Sequence, residues 1–158
     1  MPVSILDECV AAVHHLSAAA WFGALVYRAF FVEPKAQRFF NGGAEYERFS
    51  LELAQGMRYV VMLALATCGL SGFILVGLKW SSSDVWLSFI AGKIGLWILA
   101  CALFAYISWV FWPRRVFATD SEWPRVHRQG FILAVTMIGI AASGFLLGLA
   151  ARAVRQAG

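Results

Sequence analysis

The stretch "VWLSFIAGKIGLWILACALFAYISWVF", residues 85–111, decides the fold class. It runs for 27 residues with a single charged side chain, Lys93. A helix needs about 20 mostly apolar residues to cross the hydrocarbon core of a bilayer. The stretch therefore predicts a membrane-spanning helix, and its excess length predicts a tilt or a helical extension beyond the lipid.

Three other stretches of the 158-residue chain are apolar enough to cross a bilayer. They lie near residues 9–32, 57–79 and 129–151. Charged residues make up only 14% of the sequence, against about 25% in soluble domains. We therefore predict an all-α integral membrane protein, a single transmembrane domain over residues 1–158 whose four transmembrane helices form an up-down bundle. Pro34 and Pro113 are expected to end the first and third helices.

The connection between the first and second spans is partly amphipathic. Its stretch "AEYERFSLELA", residues 44–54, places Tyr46, Phe49 and Leu53 on one helical face. This pattern predicts a short interfacial helix between the first and second membrane helices. A surface for a soluble partner is the alternative interpretation of that face.

Lysines and arginines beside the spans predict the orientation of the chain. Eight flank the first and third connections, namely Lys35, Arg38, Arg48, Arg58, Arg114, Arg115, Arg125 and Arg128. Three lie on the opposite side, namely Lys79, Arg152 and Arg155. Because cytoplasmic loops are rich in basic residues, we expect both termini on the periplasmic or exterior side of a bacterial inner membrane. The net charge of +4 then reflects loops beside anionic lipid rather than nucleic-acid binding.

Polar side chains inside the first and third apolar runs predict an interior pocket. His14 and Lys93 should lie at similar depth in the exterior half of the bundle, where a buried lysine needs a polar cavity. Asp7 and Glu8 precede His14 and His15 by seven residues each, which puts each pair on one helical face. We therefore predict a cofactor pocket at His14 and Lys93 and a metal site formed by His14, His15, Asp7 and Glu8. One alternative is that one histidine hydrogen-bonds a neighbouring helix while the other faces the headgroups. Another is that the histidines transfer protons.

The remaining polar residues near the spans have simpler interpretations. Arg28 is expected to reach the membrane interface or to pair with Glu33 or Glu52, and Arg58 is expected to act as a similar anchor. His127, beside basic residues at the cytoplasmic edge, is expected to be a solvated loop residue.

Two stretches carry a resemblance to a known family. "HHLSAAAWFGALVY", residues 14–27, has a histidine with a tryptophan seven residues later. It resembles the first helix of the copper-resistance protein D (CopD) group. "FWPRRVFATDSEWPRVHRQGFILAVTMIGIAASGFLLGLAAR", residues 111–152, looks like the end of the third helix, the basic loop and the fourth helix of small CopD-like proteins. The resemblance implies a four-helix membrane unit linked to copper.

The first-helix pattern is also similar to HemJ, the membrane protoporphyrinogen oxidase family, which binds haem. By that likeness His14 matches the functional histidine of the first helix and Lys93 the functional lysine of the third. The fourth helix departs from the family, because it opens "VHRQGFIL", residues 126–133, without the asparagine and the acidic pair. The likeness thus implies a shared scaffold with a pocket near His14 and Lys93.

Three functions follow from these observations. The first is copper handling at the exterior half of the bundle. The second is a non-catalytic accessory subunit of a larger membrane complex, with no cofactor, suited by small residues such as Gly144 and Gly148 on helix faces. The third is a haem b protein with His14 as an axial ligand. The chain contains no nucleophile elbow, phosphate loop or HExxH motif, which favours a role other than catalysis. The expected partners are the lipid bilayer and other membrane subunits.

Overall fold

Long helices form the part of the chain that the computed structural model describes, which is residues 5–80, 83–119 and 121–157. Helix α1 spans Ile5–Phe39, α2 spans Gly43–Leu78, α3 spans Asp84–Val116 and α4 spans Trp123–Ala157. The described residues contain no strand. Each helix is long and apolar enough to cross a membrane. The predicted all-α class with four such helices is therefore confirmed.

The helices extend well past the predicted spans. Helices α1, α2 and α3 have 35, 36 and 33 residues, or about 50 Å at 1.5 Å per residue, whereas the hydrocarbon core is about 30 Å thick. The predicted separate interfacial helix is wrong, because residues 44–54 are the first turns of α2. A tight reversal explains this. Asn41, Gly42 and Gly43 all have positive φ, at 52°, 71° and 80°, so the chain turns within a few residues and re-enters helix at once.

Pro34 and Pro113 do not end their helices, in contrast to the prediction. In α1 a π-helical segment, Arg28–Val32, precedes the α-helical turns Glu33–Phe39. In α3 the π-helical segment Ile107–Phe111 precedes Trp112–Val116. Each proline then stands in the first turn of a fresh α-helical segment. A proline is tolerated there because its fixed φ is already that of a helix.

The two halves of the chain have similar helical features at matching positions. The π-helical segments begin at residues 28 and 107, the prolines stand at 34 and 113, and His14 has its counterpart in Lys93. Each pair is separated by 79 positions. Accordingly α1 packs along α2 and α3 packs along α4, while contacts between the two hairpins are sparser. The chain is thus built as two similar helical hairpins.

Contacts within each hairpin fix the relative direction of its helices. His14 near the start of α1 touches Cys68 near the end of α2, and Glu33 near the end of α1 touches Tyr46 near the start of α2. In the second hairpin Lys93, near the start of α3, lies against Gly148, near the end of α4. The start of one helix therefore lies beside the end of its partner in each hairpin. As a result, residues more than 100 positions apart in the sequence lie close together at each end of the bundle.

A narrow core holds the four helices together and leaves most apolar side chains outside. The core is formed by Trp21, Leu65, Ala100, Met137, Ile140 and Ala141. In contrast, Leu16, Leu63 and Leu146 are 70%, 70% and 67% exposed. Exposed apolar surface on this scale is typical of helices that meet lipid or another protein.

Candidate functional site

His14 is held in one orientation by helix α2. Its Nδ1 lies 3.0 Å from the carbonyl oxygen of Cys68 and 3.2 Å from Oγ of Ser71. A backbone carbonyl can only accept a hydrogen bond, so Nδ1 carries the proton. In the neutral ring the lone pair then sits on Nε2. Gly72 makes room for the ring, because a Cβ there would lie 3.2 Å from Cε1 of His14.

Lys93 lies within electrostatic range of both His14 and Cys68. Its ammonium rests against α4, where a Cβ on Gly148 would lie 3.0 Å from Nζ. The Cys68 thiol is 3.9 Å from Nδ1 of His14. In the first hairpin, the His14 side chain therefore packs against Gly72. In the second hairpin, the Lys93 side chain packs against Gly148 in the corresponding way. We call the region formed by His14, Cys68, Ser71 and Lys93 the His14 pocket.

The other predicted ligands, His15, Asp7 and Glu8, stand on α1 with His14. His15 is exposed, and its ring centroid is 5.8 Å from that of His14. Glu8 is exposed and Asp7 is half-buried. No group of three or more histidines, cysteines, aspartates or glutamates within the described ranges is placed to hold a metal ion. Adjacent helical positions point about 100° apart, so His14 faces α2 while His15 faces outward.

A buried arginine forms a second polar cluster at the opposite end of the bundle. Arg115 is 4% exposed, and its Nε and Nη2 donate to Oε2 and Oε1 of Glu47 at 3.1 and 3.2 Å. Its Nη1 is 3.5 Å from Oε1 of Glu33. The Tyr46 hydroxyl donates to that same oxygen at 2.6 Å. We call Glu33, Tyr46, Glu47 and Arg115 the Arg115 cluster.

Sequence reasoning missed the Arg115 cluster, because it counted Arg115 as one of several loop charges. The tryptophans on either side of Arg115 in the sequence are a signal that could have identified it. The guanidinium lies 4.7 Å from the Trp112 ring centroid and 5.6 Å from that of Trp123. An arginine between two tryptophans in "FWPRRVFATDSEW" is a candidate for a buried, stacked guanidinium.

Arg58 has a more specific role than the predicted anchor. Its Nη2 donates to the carbonyl of Ser108 at 2.9 Å. In a π-helix a carbonyl accepts from the N–H five residues later, and here that residue is Pro113, which has none. Arg58 therefore supplies the donor that the proline removes from α3. It also lies 5.7 Å from the Trp109 ring centroid.

Arg28 stacks on a tryptophan instead of pairing with a carboxylate. Its guanidinium is 5.3 Å from the Trp112 ring centroid. Among the described residues neither Glu33 nor Glu52 has an oxygen within 4.0 Å of it. The predicted ion pair is therefore absent, although Glu33 remains within electrostatic range.

A cavity of about 220 Å³ lies between the four helices at the Arg115 end. Arg28, Arg58 and Arg115 line it together with His127. Its apolar wall includes Trp21, Phe104, Phe111, Phe131 and Met137. His127 is half-buried within α4, so the prediction of a solvated loop residue is wrong. We call this space the central cavity.

Comparison of the chain with protein-family models, with curated proteins and with solved structures gave no match. The likeness to the CopD and HemJ families therefore stays a prediction from the quoted residues.

Proposed function

We propose that this chain is a multi-pass protein of a bacterial inner membrane that handles copper at the His14 pocket. In this proposal the four helices cross the bilayer as an up-down bundle with both termini on the exterior side. The uncovered apolar helix faces support insertion in lipid. The eight basic residues around the first and third connections, against three on the other side, support the orientation.

The observation that carries the copper proposal is the hydrogen bond from Nδ1 of His14 to the Cys68 carbonyl. Histidines that ligate metals usually donate their second ring N–H to a carbonyl or carboxylate, which fixes the tautomer and orients the ligating nitrogen. Nε2 of His14 would be that ligand. The Cys68 thiol lies 3.9 Å from the protonated Nδ1, so it would add a sulfur ligand only after rotating toward the Nε2 side. Sulfur with imidazole suits copper(I).

Lys93 adds a positive charge to the proposed copper site. An ammonium close enough to act electrostatically on His14 and Cys68 would repel a bound cation. This repulsion favours a copper ion that exchanges over one held permanently. A site of that kind suits copper handling better than a structural metal centre.

Removal of the His14 imidazole tests the proposal directly. We expect His14→Ala to weaken copper(I) binding by about 100-fold, because an oriented ligand is lost. The measurement is a chelator competition on detergent-purified, reduced protein. His15→Ala is the matched control, since His15 is exposed beside it and should leave the affinity unchanged. Full copper binding by His14→Ala would remove His14 as a ligand.

The same sample distinguishes the haem alternative. A visible spectrum taken before and after reduction would show a Soret band if His14 holds haem b instead. A wild-type Soret band that His14→Ala abolishes would replace copper with haem as the occupant of the pocket.

Replacement of Lys93 tests the predicted weakness of copper binding. We expect Lys93→Met to bind copper(I) about tenfold more tightly, since one repulsive charge at short range is removed. Lys79→Met, at the end of α2, is a control that should not change the affinity. Unchanged or weaker binding by Lys93→Met would remove Lys93 from the pocket.

An accessory subunit of a membrane complex is the second candidate function. It is favoured by the open space beside Gly144, where an added Cβ would meet nothing within 4 Å in the described residues. Small residues on an uncovered helix face allow a partner helix to approach closely. Copurification of one other membrane protein at fixed stoichiometry, lost in Gly144→Leu but not in Gly23→Leu, would support this role.

A further inference from the structure

The central cavity holds more positive charge than its own carboxylates neutralise. Arg115 takes up both nearby carboxylates, Glu47 and Glu33. Arg28 and Arg58 also line the cavity, and in the described part of the chain neither has a carboxylate within 4.0 Å. Three guanidiniums against two carboxylates leave one unit of positive charge. A charge away from bulk water is costly unless a counter-charge accompanies it.

A tryptophan forms part of the wall of this cavity. Trp21 is 8% exposed and lines the cavity. Its Nε1 is shielded from solvent and has no hydrogen-bond partner within the described residues. Because water in the open space would reach a donor that faced it, this N–H lies within the packed wall. A bound anionic group would offset the uncompensated charge of the arginines.

The walls and the mouth of the cavity favour an amphiphile over a bare ion. Apolar side chains such as Phe104 and Met137 form much of the lining. Phe131 also lines the cavity yet is 49% exposed, and its ring packs edge-on against Phe30, which is 50% exposed. The cavity therefore opens to the apolar surface between α1 and α4. Its volume of about 220 Å³ suits a headgroup rather than a whole lipid, so acyl chains would leave past Phe131.

We propose that the central cavity binds an anionic phospholipid, with the phosphate held by Arg28 and Arg58 and the acyl chains passing out beside Phe131. Guanidiniums stacked on indole rings keep their N–H edges free to hold phosphate oxygens. The cytoplasmic leaflet is the anionic one, which agrees with the proposed orientation of this end. The site is separate from the His14 pocket and does not depend on copper.

Native mass spectrometry and thermal unfolding of the detergent-purified full chain test this proposal. Phosphatidylglycerol, phosphatidylcholine and inorganic phosphate are added in parallel. We expect one tightly bound phosphatidylglycerol, which raises the unfolding temperature, and much weaker binding of phosphatidylcholine. Equal binding of both lipids would overturn the proposal. Inorganic phosphate that binds alone and displaces the lipid would also overturn it, because free phosphate would then be the ligand.

Matched variants locate the site. Arg28→Gln and Arg58→Gln should each weaken phosphatidylglycerol binding by about tenfold, since each removes charged hydrogen bonds to the phosphate. Arg38→Gln on α1 and Arg48→Gln on α2, both exposed, should leave it unchanged. Equal weakening by all four variants would show that only overall charge matters, against the proposal.

A variant that keeps every charge guards against loss of folding in the arginine variants. Ala134 lines the cavity, and Ala134→Phe should exclude the lipid by filling the space. The variant should remain folded by circular dichroism while its bound lipid is lost. Unchanged lipid occupancy in folded Ala134→Phe would place the lipid elsewhere and overturn the assignment.

Discussion

Arg115→Ala should lower the free energy of unfolding by about 3–5 kcal/mol, the usual cost of breaking a buried ion pair by removing one partner. Arg115 is 4% exposed and holds Glu47 through two hydrogen bonds. Its loss leaves Glu47 and Glu33 side by side without their shared counter-charge. We expect a much lower melting temperature in detergent and a reduced yield of folded protein.

The neighbouring residue supplies the control for this prediction. Arg114 is exposed, so Arg114→Ala removes the same charge from the same helical turn and should change stability by less than about 0.5 kcal/mol. Arg115→Lys should restore little, because an ammonium cannot make the paired contact to a carboxylate. Equal melting temperatures for Arg115→Ala and Arg114→Ala would contradict the prediction.

A double-mutant cycle separates the ion pair from simple packing. Glu47→Gln alone should destabilise the protein, and its effect should shrink when Arg115 is already replaced by Met. Interacting residues in one hydrogen-bonded network typically show coupling of about 0.5–3 kcal/mol. Strict additivity would mean that Arg115 and Glu47 are not coupled, and that Arg115 stabilises the bundle through Glu33 and the aromatic rings instead.

Gly69→Ala should destabilise the bundle by about 1–3 kcal/mol, the cost of overpacking a close contact. A Cβ at Gly69 would lie 2.5 Å from Cζ2 of Trp97. The indole cannot easily move, because its Nε1 donates to the Leu65 carbonyl at 3.1 Å and its ring packs edge-on against Phe73 at 5.8 Å. The added methyl group therefore forces α2 and α3 apart.

Another glycine of the same helix serves as the control. A Cβ at Gly56 would meet nothing within 4 Å of the described residues, so Gly56→Ala should be neutral or stabilising by up to about 1 kcal/mol. Combining Gly69→Ala with Trp97→Leu should recover part of the stability lost in Gly69→Ala. Leucine is smaller than tryptophan and leaves room for the added methyl group. Thermal unfolding of the four proteins in one detergent checks both statements. A Gly69→Ala variant as stable as Gly56→Ala would show that the contact with Trp97 adjusts without loss of stability.

The two residues that sequence reasoning selected for the pocket were found by contrast with their surroundings. His14 and Lys93 are polar groups inside long apolar runs, and counting residues from the span ends predicted a similar depth. The structure places them within electrostatic range. Sequence reasoning did not identify Cys68 and Ser71 as the groups that orient the ring, because such contacts depend on how α2 is rotated about its axis.

The Arg115 cluster shows the opposite case. Arg114 and Arg115 are indistinguishable as neighbours in a basic stretch, yet one is exposed and the other buried. The difference depends on α3 continuing past Pro113 and on Glu47, 68 positions earlier, lying in the first turns of α2. The sequence pattern around Arg115 indicates neither the continuation of α3 past Pro113 nor the position of Glu47.

The sequence by itself determined that the chain forms four long apolar helices, because hydropathy and run length are properties of each segment alone. It also determined which polar groups stand out within those helices. Only the tertiary structure decided where the helices end, which face of each turns inward, and that Arg28, Arg58 and Arg115 meet around one cavity. These features result from the tight reversal at residues 41–43, from the π-helical segments before both prolines, and from the packing of two hairpins. Each depends on contacts between residues far apart in the chain, which periodicity within one segment does not encode.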